Sequence, residues 1–372
     1  MNPKLKSKIL IVVAIAIGVG FLYLINLVVY RTTVLAFNIN EIKFQILLGI
    51  SLGFFSISFI AATIIGDWHY NVFTRVYYTL SAIWMGLLVY LFFASIIYEI
   101  IYTFSQPSTI TGPVILIVVV LLGTYGIIRA QKIIIKKVSI SLQNFPNSWK
   151  DKKIVWVSDL HLGQIHGPKF AQEITEKVSA LSPDIIFIGG DLYDGTGAPD
   201  IQELTMPLKK LVAPLGVYFV TGNHEEYGDY KRFLSAVESV GIYTLKDEMI
   251  EIEGIQIIGI DHKNALDLVQ YKETLSKFAI NREKVSILLK HEPRDLDIAH
   301  DAGISFQISG HTHNGQMWPL GYIAQITYKG FAYGLKYYKN MLVYTSSGTG
   351  TWGPPISIGT NREIVLFTLN KK

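Results

Sequence analysis

Four long apolar stretches near the start of the chain constrain its fold more than any other feature. They cover residues 9–30, 44–65, 76–104 and 113–128. Each has close to, or more than, the roughly 17 residues that a helix needs to cross the hydrocarbon core of a bilayer. Four such stretches in succession, joined by short polar connectors, are not typical of the core of a soluble domain. The sequence therefore predicts about four transmembrane helices.

The remainder of the chain has a different composition. Residues 1–128 carry only nine Lys, Arg, Asp and Glu residues, whereas the density of charge after residue 128 is that of a soluble protein. We therefore expect an α-helical membrane anchor domain over residues 1–137 and a second domain over residues 138–372. The net charge of +4 is not gathered into a basic stripe, so no nucleic-acid partner is expected. The sequence does not predict an oligomeric state.

The positions of basic residues predict how the chain is oriented in the membrane. Three lysines precede the first apolar stretch and four basic residues follow the last one: Lys4, Lys6, Lys8, Arg129, Lys132, Lys136 and Lys137. Because cytoplasmic flanks are enriched in Lys and Arg, we expect both ends, and therefore the second domain, to be cytoplasmic. If the short fourth stretch did not cross, the second domain would lie on the other side.

The second half of the chain has the pattern of an α/β protein. Short β-branched runs alternate with amphipathic stretches, and strands are predicted at residues 154–157, 185–188, 217–220, 255–260, 285–289 and 304–308. Five of these six strands run directly into a cluster of Asp, His, Asn or Gly residues. Ligands of α/β sheets bind at the carboxyl ends of strands. The sequence therefore predicts a site along one edge of the sheet.

The residue types in these clusters are metal ligands. A lone histidine is more often a core or surface residue, but five of the nine histidines lie in these clusters. Asp159 and His161, two positions apart, can point to the same side of an extended segment, as can His311 and His313. With Asp191, Asn223 and His291 these make seven donors, too many for one ion, so two ions with Asp191 as the bridge are expected.

The chemistry of the donor atoms limits which metals can bind. The chain contains no cysteine, which excludes thiolate ligands and disulfides. Carboxylate, imidazole and amide donors suit Mn, Fe or Zn. The predicted cofactors are thus two divalent metal ions of this group.

The order of these motifs resembles the calcineurin-like metallophosphoesterase superfamily. From residue 153 onward the chain reads D-x-H, G-D-x-x-D, G-N-H-E, a lone H and G-H-T-H. The resemblance implies a four-layer α-β-β-α sandwich. It also implies one metal on Asp159, His161, Asp191 and His313, and the other on Asp191, Asn223, His291 and His311. In this family mechanism a hydroxide between the two ions attacks phosphorus in line; His224 is then left for catalysis with Asp194 as its orienting partner.

A finer resemblance covers residues 310–319 and 346–367, which are similar to the YkuE-like branch of membrane-associated phosphodiesterases. That branch implies Gly at Asn314, Arg near Ser357 and Pro near Arg362, so contacts to the second substituent of the phosphodiester are expected to differ here. Gly195 stands where phosphoprotein phosphatases carry a phosphate-binding Arg. A protein phosphatase is therefore disfavoured.

These patterns predict a membrane-anchored phosphoesterase, acting on diesters more than on monoesters. The expected substrate is a phosphodiester or pyrophosphate of a lipid-linked or nucleotide type. The alternative is a catalytically silent metal-binding sensor that signals through the helices. A transporter would need polar residues along the spans, and these are scarce.

The sequence gives weaker evidence for a role of several other polar and aromatic residues. Asp261 and His262 follow a predicted strand and could contact substrate. The tyrosine-rich run over residues 328–344 fits strand packing better than a lid or a lipid-binding surface. His166 and His300 are expected to be solvated and outside the site.

Overall fold

The chain folds into two compact units, each described here by itself. The computed structural model describes the backbone of residues 3–105, 107–195 and 200–371, and the side chains of 17–105, 107–195 and 200–369. One unit comprises Met1–Thr63 and Val76–Gly126. The other comprises Ile64–Arg75 and Ile127–Lys372. The side chains of Lys4, Lys6 and Lys8 lie outside the described residues.

Four long helices account for the predicted membrane anchor. They are α1 (Pro3–Ala36), α2 (Ile42–Trp68), α3 (Val72–Phe104) and α4 (Thr111–Ala130). All four are long and apolar enough to cross a membrane. Val29, Leu52 and Leu88 pack together in the first unit, whereas many other apolar side chains, such as Phe54, are exposed as lipid-facing residues would be. The prediction of four membrane helices is confirmed.

The second unit contains two six-stranded sheets. The strands are β1 (Ile133–Leu142), β2 (Lys153–Val157), β3 (Ile185–Ile188), β4 (Val217–Phe219), β5 (Tyr243–Thr244), β6 (Glu248–Ile252), β7 (Ile255–Gly259), β8 (Ser286–Leu289), β9 (Phe306–Ser309), β10 (Gly334–Tyr338), β11 (Met341–Thr345) and β12 (Arg362–Lys371). The first sheet has the order β1-β12-β2-β3-β4-β5, and the second has the order β10-β11-β9-β8-β7-β6. All six strands predicted from the sequence are present.

Helices cover the outer faces of the two sheets. They are α5 (Pro168–Ser179), α6 (Ile201–Thr205), α7 (Asn223–Tyr227), α8 (Tyr230–Ser239), α9 (His262–Leu266), α10 (Leu268–Lys277), α11 (Leu296–Ala302) and α12 (Leu320–Thr327). One core lies between the sheets and includes Trp156, Phe187 and Phe306. A second core joins the first sheet to α5 and α8, and a third joins the other sheet to α10 and α11. Central strands buried on both faces are continuously apolar, and the predicted α-β-β-α sandwich is confirmed.

The first strand of the sandwich follows directly on the last membrane helix. β1 pairs in parallel with β12 from Ile133 to Leu142, so it extends across the domain boundary expected between residues 137 and 138. That boundary rests on composition alone and stays a prediction. The guanidinium of Arg362, at the start of β12, donates to the carbonyl of Ala130, the last residue of α4.

Residues 64–75 join the second unit although they end α2 and begin α3. The side-chain amide of Gln164 donates to the carbonyl of Gly66 at 3.0 Å. In return, Nε of Arg75 donates to the carbonyl of Gln164 at 3.1 Å. Gln164 is buried. The connector between α2 and α3 is therefore fixed to the loop that follows β2.

Candidate metal centre

The chain places its polar clusters at the carboxyl ends of five strands. β2, β3 and β4 are parallel neighbours, and so are β7, β8 and β9. Because parallel strands end at the same edge of a sheet, the residues that follow them are brought together. The seven predicted ligands all follow such ends: Asp159, His161, Asp191, Asn223, His291, His311 and His313.

Six of these seven residues form two clusters of three. The first contains Asp159, His161 and His313, with ligand atoms within 4.8 Å of one another. The Nε2 atoms of His161 and His313 are 3.0 Å apart, and Nε2 of His313 lies 3.7 Å from Oδ1 of Asp159. Three donors therefore point into one small volume.

The second cluster contains Asp191, His291 and His311. Nε2 of His291 lies 3.1 Å from Oδ2 of Asp191 and 3.2 Å from Nδ1 of His311. Nδ1 of His291 donates to the carbonyl of Gly189 at 2.7 Å. In the neutral ring this leaves Nε2 as a lone-pair donor, the form that binds a metal.

The two clusters are joined directly through the backbone. The amide of His311 donates to Oδ1 of Asp159 at 2.9 Å. The amide of His224 donates to Oδ1 of Asp191 at 2.9 Å. Both carboxylates are thus oriented by the residues of the neighbouring strand ends, and their remaining oxygens are available to a cation.

Unsatisfied buried atoms also fit a metal centre. Among the described residues, Oδ2 of Asp159 and Oδ1 of Asn223 are buried without a hydrogen-bond donor. A buried acceptor without a donor is costly, and a bound divalent cation would satisfy such an atom. The donors are carboxylate, imidazole and amide groups, which suit Mn, Fe or Zn. The residues present therefore fit a divalent metal.

The electrostatics of the side chains agree with this interpretation. Burial, with the nearby His224, lowers the pKa of His161 to about 3, so its ring is a neutral ligand at physiological pH. Burial raises the pKa of Asp159 to about 6, and the neighbouring Asp191 adds to that rise. Burial opposes a charge on His291, but the Asp191 carboxylate raises its pKa to about 10. A proton on Nε2 of His291 therefore lies against Oδ2 of Asp191, where a metal cation would otherwise lie, and metal binding would release that proton.

The backbone conformation is unusual at most of the predicted ligands. A positive φ is uncommon for residues other than glycine, yet five of the seven predicted ligands have one: Asp159 at 56°, His161 at 50°, Asp191 at 49°, His311 at 71° and His313 at 47°. Such strain collects at functional sites, where it holds side chains in a required direction. Here it turns the ligands inward at the strand ends.

His224 and Asp194 lie beside the first cluster. Nδ1 of His224 donates to the main-chain carbonyl of Asp194 at 2.8 Å, which leaves Nε2 free of that proton. The Asp194 carboxylate lies nearer to Nδ1 of His161, at 3.3 Å, than to Nδ1 of His224, at 3.9 Å. Asp194 therefore contacts both histidines, and it meets His224 mainly through its backbone.

Glu225 supports the loops of the metal centre, although the sequence pattern predicts no role for it. Its buried carboxylate accepts hydrogen bonds from four amides, those of Gly222, Asp191, Leu192 and Tyr193, at 2.7 to 3.3 Å. It thereby clamps the β3 loop to the β4 loop. An added Cβ on Gly222 would lie 2.2 Å from Oδ1 of Asp191, so this close approach requires glycine. The only sequence signal was the final Glu of G-N-H-E.

Asp261 and His262 lie close to the second cluster. The ring centroids of His262 and His291 are 5.6 Å apart, and Nε2 of His262 lies 3.9 Å from Oε1 of Glu292. Oε1 of Glu292 is also 3.8 Å from Nε2 of His311. Asp261 accepts from the hydroxyl of Thr221 at 2.6 Å. His262 is therefore beside the site, whereas Asp261 braces the β4 loop.

The prediction that His166 is solvated is wrong. His166 is buried, and its Nε2 accepts from the amide of Thr351 at 3.0 Å. The loop after His161 folds back against the segment that precedes β12, which a sequence pattern does not reveal. His300 is partly exposed and bonds Asp301 and Asn340, outside the site as expected.

Residues 334–344 of the tyrosine-rich run lie in a strand hairpin, as predicted, whereas Tyr328 lies at the end of α12. β10 and β11 pair antiparallel, and Tyr344 is buried in β11 with its hydroxyl on Glu363 at 2.9 Å. Tyr333 bonds the same carboxylate at 3.0 Å. The buried tyrosines therefore support the fold.

Comparisons with known proteins agree with the geometry. Residues 152–315 match the family model described as calcineurin-like phosphoesterase. The chain is 31% identical to an uncharacterized metallophosphoesterase of Campylobacter jejuni, over 64% of this chain and 63% of that protein. It is 30% identical to a transmembrane protein with metallophosphoesterase domain of Danio rerio, over 69% of this chain and 62% of that protein. The chain thus spans about three fifths of the length of these two relatives.

Proposed function

Since residues 152–315 belong to the calcineurin-like phosphoesterase family, we propose that the chain is a membrane-anchored phosphodiesterase that uses two divalent metal ions. It hydrolyses phosphodiester or pyrophosphate bonds of a lipid-linked or nucleotide-type substrate. The observation that carries the proposal is the meeting of two three-residue donor clusters at one edge of the sandwich. The YkuE-like branch remains a prediction.

The proposed ligand sets follow the two clusters. Asp159, His161 and His313 would hold one ion, and Asn223, His291 and His311 would hold the other. Asp191 would be shared by both ions, a role supported by its position between His224 and His291. Two such ions, when bound, lower the pKa of coordinated water toward 7 and neutralise phosphoryl oxygens.

The protein side chains position the phosphoryl group and move one proton. The ring of His224 is held by the Asp194 carbonyl through Nδ1; when Nε2 is protonated as well, it can stabilise a phosphoryl oxygen or protonate the leaving group. The ring centroids of His161 and His224 are 4.6 Å apart, so a proton on the His224 ring is close to the first cluster. Asn223, beside His224, adds an amide donor to the phosphoryl oxygens.

A diester is the preferred substrate class. An added Cβ at Gly195 would lie 2.7 Å from the His224 carbonyl, and Gly195 has a φ of 82°, so a long side chain is not accommodated there. The bidentate Arg that would bind a phosphate dianion is therefore missing at this position. One negative charge, as on a diester, needs fewer cationic partners than the two of a monoester.

Hydrolysis by the full-length protein tests this function. We expect turnover of bis(p-nitrophenyl) phosphate to exceed that of p-nitrophenyl phosphate, to disappear after chelation and to return with Mn, Fe or Zn. The assay uses detergent-purified protein with measured metal content. Bound metal without hydrolysis of either ester or of a pyrophosphate would instead favour the sensor alternative.

A His224→Gln substitution tests the catalytic role of this histidine. We expect kcat to fall about 10²- to 10⁴-fold while the metal content stays unchanged, because the side chain moves a proton and does not hold an ion. If His224 protonates the leaving group, the loss will be larger for a phenyl ester than for a p-nitrophenyl ester. His300→Gln is the control, and an equal loss with both leaving groups would restrict His224 to oxyanion binding.

The catalytic domain is proposed to face the cytoplasm. The α2–α3 connector packs on the catalytic unit through Gly66 and Arg75, which supports their lying on the same side of the membrane. In that arrangement α3 and α4 both cross the membrane, and the basic residues that flank the helices favour the cytoplasm for this side.

Single cysteines in this cysteine-free chain can test the orientation. We expect a membrane-impermeant maleimide to label Asn40→Cys, in the α1–α2 connector, in intact spheroplasts of a bacterial host. Lys339→Cys, an exposed position in the catalytic domain, should react only after permeabilisation. Labelling of Lys339→Cys in intact spheroplasts would reverse the orientation.

A further inference from the structure

An exposed apolar surface lies beside the metal centre. We define the apolar rim as Trp318, Tyr322, Ile323, Ile326 and Trp352, with relative exposures of 57%, 66%, 61%, 79% and 57%. Three of these residues lie on α12, a helix in which no residue is buried. Exposed apolar residues that share one helix face are typical of an interaction surface.

The rim adjoins the residues proposed to act on the substrate. Gln325 on α12 donates to the side chain of Asn314, next to His313, at 3.4 Å. Tyr328, at the end of α12, has its ring centroid 6.0 Å from that of His311. On the other side the ring centroid of Trp352 is 6.4 Å from that of His224. Trp352 and the helix α12 therefore lie next to residues of the metal centre.

Two series of residue contacts connect the rim to the ends of membrane helices. The amide of Trp318 donates to the carbonyl of Ile358 at 2.8 Å. Three residues further on, Asn361 accepts from Arg129 in the last turn of α4. This first series of contacts connects the α12 side of the rim to the end of α4.

The second series of contacts starts at Trp352. Its neighbour Thr351 contacts Nε2 of His166 at 2.9 Å, and Gln164, two residues before His166, bonds Gly66 near the end of α2. Trp68, at the last position of α2, is 72% exposed. Both sides of the rim are therefore fixed to the segments that leave the membrane.

The charge of the surrounding segment fits an anionic lipid surface. Residues 302–362 contain no Asp or Glu, and their basic residues are Lys329, Lys336, Lys339 and Arg362. Lys329 follows Tyr328 at the end of α12 and is exposed, whereas Lys339 lies 3.9 Å from Asp301 and is not part of the surface around the rim. Lysines near a membrane attract anionic headgroups, and Trp and Tyr are enriched at the interface.

We propose that the apolar rim enters the bilayer interface and that the site takes a phosphoester carried on a membrane lipid. The hydrocarbon of the substrate lies on Ile323 and Ile326, while its phosphoryl group reaches the metal centre. This inference rests on the proposed phosphodiesterase function and selects the lipid-linked substrate over the nucleotide type. The occupant of the rim is lipid of the same bilayer that holds the helices.

A spectroscopic test does not depend on activity. In full-length protein, Ile326→Cys is labelled with an environment-sensitive fluorophore and placed in phosphatidylcholine–phosphatidylglycerol nanodiscs. We expect blue-shifted emission that is quenched by doxyl-labelled lipid. The control is Val269→Cys on α10, which is 66% exposed and is expected to show neither effect. Equal emission and quenching at the two positions would overturn the proposal.

A kinetic test separates this inference from the proposed function. In nanodiscs, kcat/KM for p-nitrophenyl dodecyl phosphate is expected to exceed that for p-nitrophenyl methyl phosphate by about tenfold or more, because the alkyl chain gains apolar contact. Ile326→Asp should reduce this ratio, whereas Val269→Asp should not. Equal hydrolysis of both esters would refute the lipid site and leave the phosphodiesterase intact. Hydrolysis of neither would refute the function itself.

Discussion

Asp191→Asn is expected to lower kcat for an aryl phosphodiester at least about 10³-fold. The carboxylate lies between the amide of His224 and Nε2 of His291, where the proposed bridge between two ions must be. A neutral amide would weaken the binding of both ions. Metal ions stabilise the charge of the transition state by several kcal/mol, which corresponds to about three powers of ten in rate. The measurement is hydrolysis of bis(p-nitrophenyl) phosphate in saturating Mn.

The metal content of the variant is the second readout. We expect fewer than two ions per chain by elemental analysis, because the bridging ligand is lost. Asp301→Asn is the matched control, since the Asp301 side chain is 70% exposed, and it should retain wild-type kcat and metal content. Full turnover by Asp191→Asn would rule out the paired-ion mechanism proposed for this site.

Glu225→Gln is expected to destabilise the second unit by about 3 kcal/mol, which lowers Tm by about 10 °C in a domain of this size. The wild-type carboxylate accepts from four amides that belong to the β3 and β4 loops. Gln would direct an N–H₂ group at one or more of these N–H donors. Leaving buried donors unsatisfied costs more than the net value of the bonds themselves.

The pH of that measurement affects its interpretation. Burial raises the pKa of Glu225 to about 7, and the charge of Asp191 adds to the rise, while the Gly222 and Tyr193 amides oppose it. The pKa of this carboxyl group is higher in the folded chain than its unfolded value of 4.5. The folded state therefore loses stability as the pH rises from about 4.5 to about 7. Thermal unfolding is therefore compared at about pH 8, where the wild-type group is ionised.

Activity gives a second measure of the same substitution. Because the amide of Asp191 bonds Glu225 at 3.0 Å, we expect Glu225→Gln to displace the Asp191 loop and reduce metal affinity as well. Glu238→Gln, at an exposed position on α8, should leave both Tm and metal affinity unchanged. Unaltered Tm and metal affinity in Glu225→Gln would show that the four amides do not depend on this carboxylate.

The sequence by itself determined the membrane helices, the central strands and the position of the ligands along the chain. Hydropathy over some 20 residues is a local property, so α1 to α4 could be predicted without knowledge of their packing. β-Branched runs followed by D-x-H, G-D or G-H-T-H are local as well. Parallel strands bring their carboxyl ends together, and Asp159 and His311 therefore meet although 152 residues separate them.

Only the tertiary structure decided which residues support and surround that centre. Glu225 was assigned no role because its four partners come from two separate loops. His166 is buried by Thr351, which lies 185 positions later in the chain. The packing of residues 64–75 on the Gln164 loop and the exposure of α12 likewise depend on contacts between distant segments. A local pattern reports which side chains are present, whereas burial and hydrogen bonding depend on what the folded chain places against them.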